Sequence, residues 1–319
     1  MLNILPFVET STEPSVRYSY NKNYLQLNEK SPEMLQLSQE IKNSPRVQTM
    51  LNSRNSQGKF PWHAYQKWSG SFWTFLVLAD LGYPLGDEAL IPLREQILEW
   101  LLDPHRLKAI PFINGRWRRC ACQEGGAVYS ILKLGLADSR IEQLVHMLLK
   151  WQWPDGGWNC DKHSEASHSS FHETCIPLRA LNAYWLASGD QKVKPARDRA
   201  AERLLSRSLF KNPATGVAIA PVFTKLAYPS YWHYDILYGL RVMAECGLIN
   251  DPRCKDALHL LETKQLPDGG FRAEAKYYQY SQKIQTGHSL VDWGSTGKQK
   301  FNPFITVEGL GVLRAASRI

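Results

Sequence analysis

The sequence contains no apolar run near the roughly 20 residues that cross a bilayer. Any membrane contact is therefore expected to be peripheral. Cysteine is scarce, with six copies in 319 residues, too few for a disulfide scaffold. Residues 1–20 lack the basic start and sustained apolar core of a leader peptide. Together these absences predict a reduced, cytoplasmic protein. Positive charge is in excess, formally +8, yet the densest cationic cluster is only RWRRC at Arg116–Cys120. Nucleic acid is therefore not an expected partner, and the excess fits solubility or attraction of an anionic small substrate. Alternating strand patterning is almost missing as well, which excludes the sheet-based classes.

What the sequence does have is helix and repetition. With 44% apolar residues the chain can bury a substantial core. Four apolar helical runs close on Gly82, Gly135, Gly189 and Gly247, and a fifth begins at Asn302. Glycine at these places suits a left-handed C-cap. Each of the first four runs is followed by a turn and a more amphipathic helix with charge on one side. The apolar runs read as inner helices and the amphipathic ones as outer partners. Inner runs recur about every 45 to 70 residues, as expected for helix pairs carrying long loops. Two outer helices lead into nearly the same words, QWPDGGW at Gln152–Trp158 and QLPDGGF at Gln265–Phe271. Proline stops the helix there, and the glycines permit positive φ. Weaker echoes lie at Gln66 and Cys122.

These two motifs resemble the QW motifs of the terpenoid cyclase and protein prenyltransferase superfamily, and the helix-pair recurrence extends the resemblance from about Gln66 onward. The resemblance implies an all-α fold, an α/α toroid. Here that is one domain over residues 31–319, after an extended segment over residues 1–30 and including a helix at about 32–53. It makes Gln152, Trp158, Gln265 and Phe271 structural ties between neighbouring helices. It also implies a central cavity holding a hydrophobic small molecule, an isoprenoid by class. The superfamily's Asp-x-Asp-Asp and DDxxD motifs are both missing.

In such a ring the starts of the inner helices face one mouth, where free N–H groups and positive dipole ends suit an anion. That rule gathers Gln123 and Glu124, then His168, His172 and Glu173, then Trp232, His233, Tyr234 and Asp235, and finally Trp293, Lys298, Lys300 and Asn302. Glu173 and Asp235 are the expected acid or base, with His172 and His233 as proton-transfer partners. His168, Trp232, Tyr234, Gln123, Glu124 and Trp293 are the expected substrate contacts. A plainer reading has Glu173 capping its own helix and Asp235 stabilising a first turn. Lys298, Lys300, Arg272 and Lys276 are the cations available to a diphosphate leaving group.

The stretch Trp151–Cys175 also holds Cys160, Asp161, His163, His168, His172 and Cys175, all donors that zinc accepts. Their spacing matches no standard zinc motif, and the resemblance implies three ligands drawn from separate repeats. No metal is assigned on this basis, and the cofactor stays open. Cys120, Cys122, Cys246 and Cys254 read as helix-packing or near-surface residues, and the Cys-x-Cys pair Cys120–Cys122 is only a faint metal hint. Toroids of helix pairs also serve glycan-degrading enzymes, so the alternative function is a hydrolase or lyase working on a sugar stacked against tryptophan. A non-catalytic lipid-binding protein is the third reading. Shape separates them: an isoprenoid needs a deep apolar pocket, a glycan a groove with exposed tryptophan faces.

Overall fold

A computed structural model of the chain describes residues 3–297 and 300–319. The first helices in chain order are α1 (Leu5–Glu9), α2 (Pro14–Asn23), α3 (Pro32–Asn43), α4 (Pro45–Leu51), α5 (Ser71–Leu81), α6 (Ile91–Leu101) and α7 (Pro104–Lys108). They are followed by α8 (Cys122–Lys133), α9 (Arg140–Trp151), α10 (Phe171–Ser188), α11 (Lys194–Leu205), α12 (Ile236–Glu245), α13 (Lys255–Thr263) and α14 (Pro303–Ala315). Among the described residues, extended pairing is limited to two short two-stranded ladders and two isolated bridges.

Six of these helices, α2, α5, α8, α10, α12 and α14, pack side by side as an inner ring, which closes where α14 meets α2 and α2 meets α5. Outside them α3, α6, α9, α11 and α13 each lie against the preceding inner helix. The fold is thus the all-α, α/α toroid expected. Composition explains the two layers. Helix α5 buries nine of its eleven residues. Helix α9 buries only the stripe Ile141, Leu144, Val145, Leu148 and Trp151, one face of a helix. Gly82, Gly135, Gly189 and Gly247 all have positive φ, as their C-cap positions require.

The chain start differs from expectation. Residues 1–30, read as an extended segment, contain α1 and α2, and α2 is an inner helix of the ring. Pro14 opens α2, and the Glu13 carboxylate accepts the Ser15 N–H. Its serines, asparagines and lysine hide the pattern from hydropathy, yet Val16, Tyr18 and Tyr20 are buried. The two tyrosine hydroxyls reach Glu29 and Glu9 at 3.0 and 2.7 Å.

The repeated motifs act as joints. Gln152 Nε2 donates to the carbonyls of Gly156 and Ala196, each at 2.7 Å, and Gln265 Nε2 to that of Gly269 at 2.9 Å. Gly156 and Gly269 have φ of +94° and +95°. The aromatic residue that follows is fully buried in both repeats, and its N–H donates to a threonine hydroxyl on the next inner helix. These bonds are Trp158 to Thr174 at 3.3 Å and Phe271 to Thr306 at 2.9 Å.

Inside the ring, five of the six inner helices contribute to one polar network. Arg179 on α10 pairs with Asp80 on α5 at 2.8 Å and with Glu245 on α12 at 2.6 Å. Arg241 on α12 pairs with Asp80 at 3.0 Å and with Glu308 on α14. Tyr129 on α8 donates its hydroxyl to Asp80, and its ring lies 3.7 Å from the Arg179 guanidinium. Burial raises the Asp80 carboxyl, but Arg179 and Arg241 outweigh it and hold the group well below the usual carboxylate range.

Candidate functional site

The starts of α8, α10 and α12 meet at one mouth of the ring. Gly125 of α8 sits directly against Pro177 of α10, where an added Cβ would fall 2.9 Å from the proline Cα. Only glycine permits this approach. About one turn earlier on α10, Glu173 reaches across to α8: its Oε2 accepts the Cys122 N–H at 2.9 Å. The carboxylate therefore does not fold back on its own helix as a capping box would, and Ser170, the α10 N-cap, makes no side-chain bond. Glu173 Oε1 lies 3.4 Å from the Cys122 sulfur and 3.8 Å from that of Cys160. Donor atoms of Cys120, Cys160 and Glu173 all lie within 4.8 Å of one another. Burial, followed by the neighbouring Cys160, pushes the Glu173 carboxyl up to about 8. The hydrogen bond with Cys120 draws the Cys160 thiol down to about 6.

Beside this cluster, Gln123 and Glu124 are held by arginines. Glu124, fully buried, pairs with Arg119 at 2.5 Å and Arg106 at 3.1 Å, and Gln123 Oε1 accepts from both guanidinium groups. Tyr65, hydrogen-bonded to Gln123, stands next to Cys120, Cys122 and Glu173.

The next sector of the mouth is built of rings. His172 Nδ1 accepts the Tyr234 N–H at 2.9 Å, so the proton of the neutral ring is on Nε2. His233 Nδ1 lies 3.2 Å from the Ser230 carbonyl, which only a protonated Nδ1 satisfies, so its lone pair is on Nε2. The two imidazoles therefore have opposite tautomers, one a donor and one an acceptor, with ring centres 6.4 Å apart. Trp232 touches both, edge-on to His172 at 5.2 Å and stacked on His233 at 4.1 Å. Tyr277 stacks on the other face of His233 at 3.5 Å. Lys67 lies over the Trp68 and Trp232 rings. Burial lowers both histidines, His233 to about 4, so both are neutral near pH 7.

The side chains of the remaining sequence candidates are engaged elsewhere or exposed. Asp235 is the N-cap of α12, its two oxygens taken by the N–H groups of Tyr238 and Ala227 at 2.9 and 3.0 Å. That makes it the plainer of its two readings, a helix-stabilising acid. Tyr234 is buried, with its hydroxyl on the Leu209 carbonyl at 2.6 Å. Trp293 is buried against Tyr228 and Phe304. His168 is exposed and precedes α10, so it shares no helix face with His172. Lys276 pairs with Asp292 and Arg272 with Glu274; Lys300 is exposed, and Lys298 lies outside the described residues. Between Trp68, Trp73, Tyr231 and Trp293 the enclosed space is about 10 Å³, at the lower limit for a single water.

Sequence reasoning noted Cys120 only within the Cys-x-Cys pair and missed Tyr65, Lys67, Trp68 and Tyr277. The first four lie just before the inner helices α8 and α5, so the rule that selected Glu173 reaches them if it is applied to every repeat.

No protein-family model and no curated protein matches this chain. Solved structures do. A glycosyl hydrolase family 88 protein from Bacteroides vulgatus is 13% identical with a TM-score of 0.50, covering 99% of this chain and 97% of that one. A glycoside hydrolase family 76 mannosidase from Bacteroides thetaiotaomicron is 11% identical with a TM-score of 0.50, covering 96% and 86%. A type II terpene cyclase from Scytonema is 14% identical with a TM-score of 0.45, covering 96% and 87%. The first two likenesses show the α/α-toroid fold.

Proposed function

We propose that this protein is an enzyme that carries out proton-transfer chemistry on a ring-bearing polar substrate, a glycan by class, at the mouth of the toroid. The observation that carries the reading is the pair His172 and His233, locked in opposite tautomers against the half-buried face of Trp232. His233 Nε2 acts as general base and, once protonated, returns that proton to the leaving oxygen, while the neutral His172 Nε2–H donates a hydrogen bond to the developing negative charge. Trp232 supplies a flat apolar face for a sugar ring, and Lys67 above it suits an anionic substituent on that ring. The isoprenoid reading asks for a hollow of roughly 300 Å³ or more; the space enclosed by Trp68, Trp73, Tyr231 and Trp293, about 10 Å³, does not supply it.

The test is turnover on a panel of neutral and uronic-acid polysaccharides, with products followed as reducing ends and as unsaturated sugars. His233→Ala is expected to lower kcat/KM by about 10²-fold or more while the helical circular dichroism stays the same. Full activity in His233→Ala, or a co-purifying isoprenoid in native mass spectra together with no sugar turnover, overturns the reading.

A further inference from the structure

We propose that Cys120, Cys160 and Glu173 form a three-donor site for a thiophilic divalent cation of the zinc class, with a fourth coordination position left open. The proposal stands on its own geometry and does not depend on the histidine chemistry above. Tetrahedral zinc, with bonds of roughly 2.3 Å to sulfur and 2.0 Å to oxygen, holds its donors about 3.5–3.8 Å apart. Here Cys160 Sγ and Glu173 Oε1 are 3.8 Å apart, and all three donor atoms lie within 4.8 Å of one another.

Three separate segments bring the donors together. Cys120 precedes α8, Cys160 follows the PDGGW joint, and Glu173 opens α10. The Arg119 N–H donates to the Asn159 carbonyl at 3.1 Å, which fixes the two cysteine-bearing segments side by side. The Cys122 N–H holds Glu173 Oε2 and so turns Oε1 toward the sulfurs, the kind of outer-shell support that orients a ligating carboxylate. Cys120 and Cys160 are both half-exposed, so an ion has a route in and a substrate atom has a route to the fourth position.

Charge is consistent with this assignment. On binding, each donor that carries a proton, thiol or carboxyl, releases it to solvent, with no change of oxidation state. Two thiolates, one carboxylate and one divalent ion sum to a single negative charge, and the Arg119 guanidinium lies beside Glu173 and both cysteines of the Cys-x-Cys pair. Thiolate donors select zinc-like ions over magnesium or calcium, which take oxygen ligands. Of the six zinc-type donors noted in the loop, only Cys160 takes part; the other two donors had been assigned to packing and to acid–base work.

The test uses the full chain, reduced, incubated with Zn²⁺ or Co²⁺ and desalted. The expected result is one equivalent of metal, and for cobalt an intense thiolate-to-metal absorption in the near ultraviolet. Cys160→Ser and Glu173→Gln are each expected to weaken binding at least about tenfold, while Cys254→Ser, a distant thiol on the Leu248 carbonyl, leaves it unchanged. In the unsubstituted protein, bound metal is expected to slow alkylation of Cys120 and Cys160, read by peptide mass mapping. Less than about a tenth of an equivalent without the cobalt band, or equal alkylation with and without metal, overturns the proposal. Sugar turnover by metal-free protein would leave the histidine reading intact, so the two proposals fail separately.

Discussion

Glu173 and Asp235 both lie at the starts of inner helices, one in the first turn and one at the N-cap, and their surroundings give them different work. Glu173 reaches a neighbouring helix and faces three thiols, whereas Asp235 spends both oxygens on backbone N–H groups. Sequence position brought both acids to the inner-helix starts; which way each carboxylate turns depends on contacts between repeats that spacing along the chain does not encode. For Asp235, burial pushes the carboxyl up to about 7, against the two N–H bonds, which lower it. The folded state therefore holds this proton more tightly than the unfolded chain, where an Asp titrates near 4. Its stabilising contribution is full below about pH 4 and is lost as pH rises toward 7. Asp235→Asn keeps an acceptor for the Tyr238 N–H, and it is expected to flatten the decline in urea midpoint across that window. Parallel pH profiles in the two proteins would contradict the assignment.

His233 makes the opposite kind of prediction, about activity. Burial lowers its pKa to about 4; His172 and Lys67 push the same way, and the Ser230 carbonyl opposes them. The Nε2 lone pair is thus present at neutral pH and disappears as pH falls through about 4. An acid limb of kcat/KM near pH 4, in place of one near the ordinary 6.5 of histidine, is the expected profile.

At the scale of the element, the PDGG joints were the most legible part of the chain, because their chemistry is local. Proline ends a helix and glycine takes positive φ wherever they occur. Gly156 combines that φ with a close neighbour, since an added Cβ would lie 2.4 Å from the Arg199 carbonyl oxygen. Gly189 has positive φ but open space around it. Gly189→Ala is expected to cost about 1–2 kcal/mol, the left-handed penalty alone, and Gly156→Ala clearly more, as read from urea unfolding. Equal losses would mean that the joint yields without strain. Helix α2 shows the converse: its buried face is made of tyrosines whose hydroxyls need particular acids, so nothing in local hydropathy marks it as part of the ring.

For the whole molecule, the charged network ties the ring together, in that every inner helix but one contributes to it. Its members were individually visible as lone charges within apolar runs, Asp80, Arg179, Arg241, Glu245 and Glu308, but their convergence depends on ring closure. Arg179 is buried, whereas Asp80 and Glu245 keep part of their surface in solvent, so losing Arg179 leaves these acids only partly uncompensated. Arg179→Met is expected to cost about 2–3 kcal/mol, less than for a fully buried pair because Asp80 and Glu245 are partly solvated, by chemical denaturation, with partial recovery when Asp80→Asn is added. A loss below about 1 kcal/mol would show that Asp80 and Glu245 find solvent instead.

Closure through α2 and α14 also has a consequence for biosynthesis. As the chain leaves the ribosome, successive hairpins can stack in the order they are made, each on its predecessor. Helix α2 alone must wait, because α14, the neighbour that covers one of its sides, is translated after all the other inner helices. Until then the side of α2 that faces α14 and the unpaired edge of the growing arc stay exposed, which makes the stage before α14 emerges the one most dependent on chaperones.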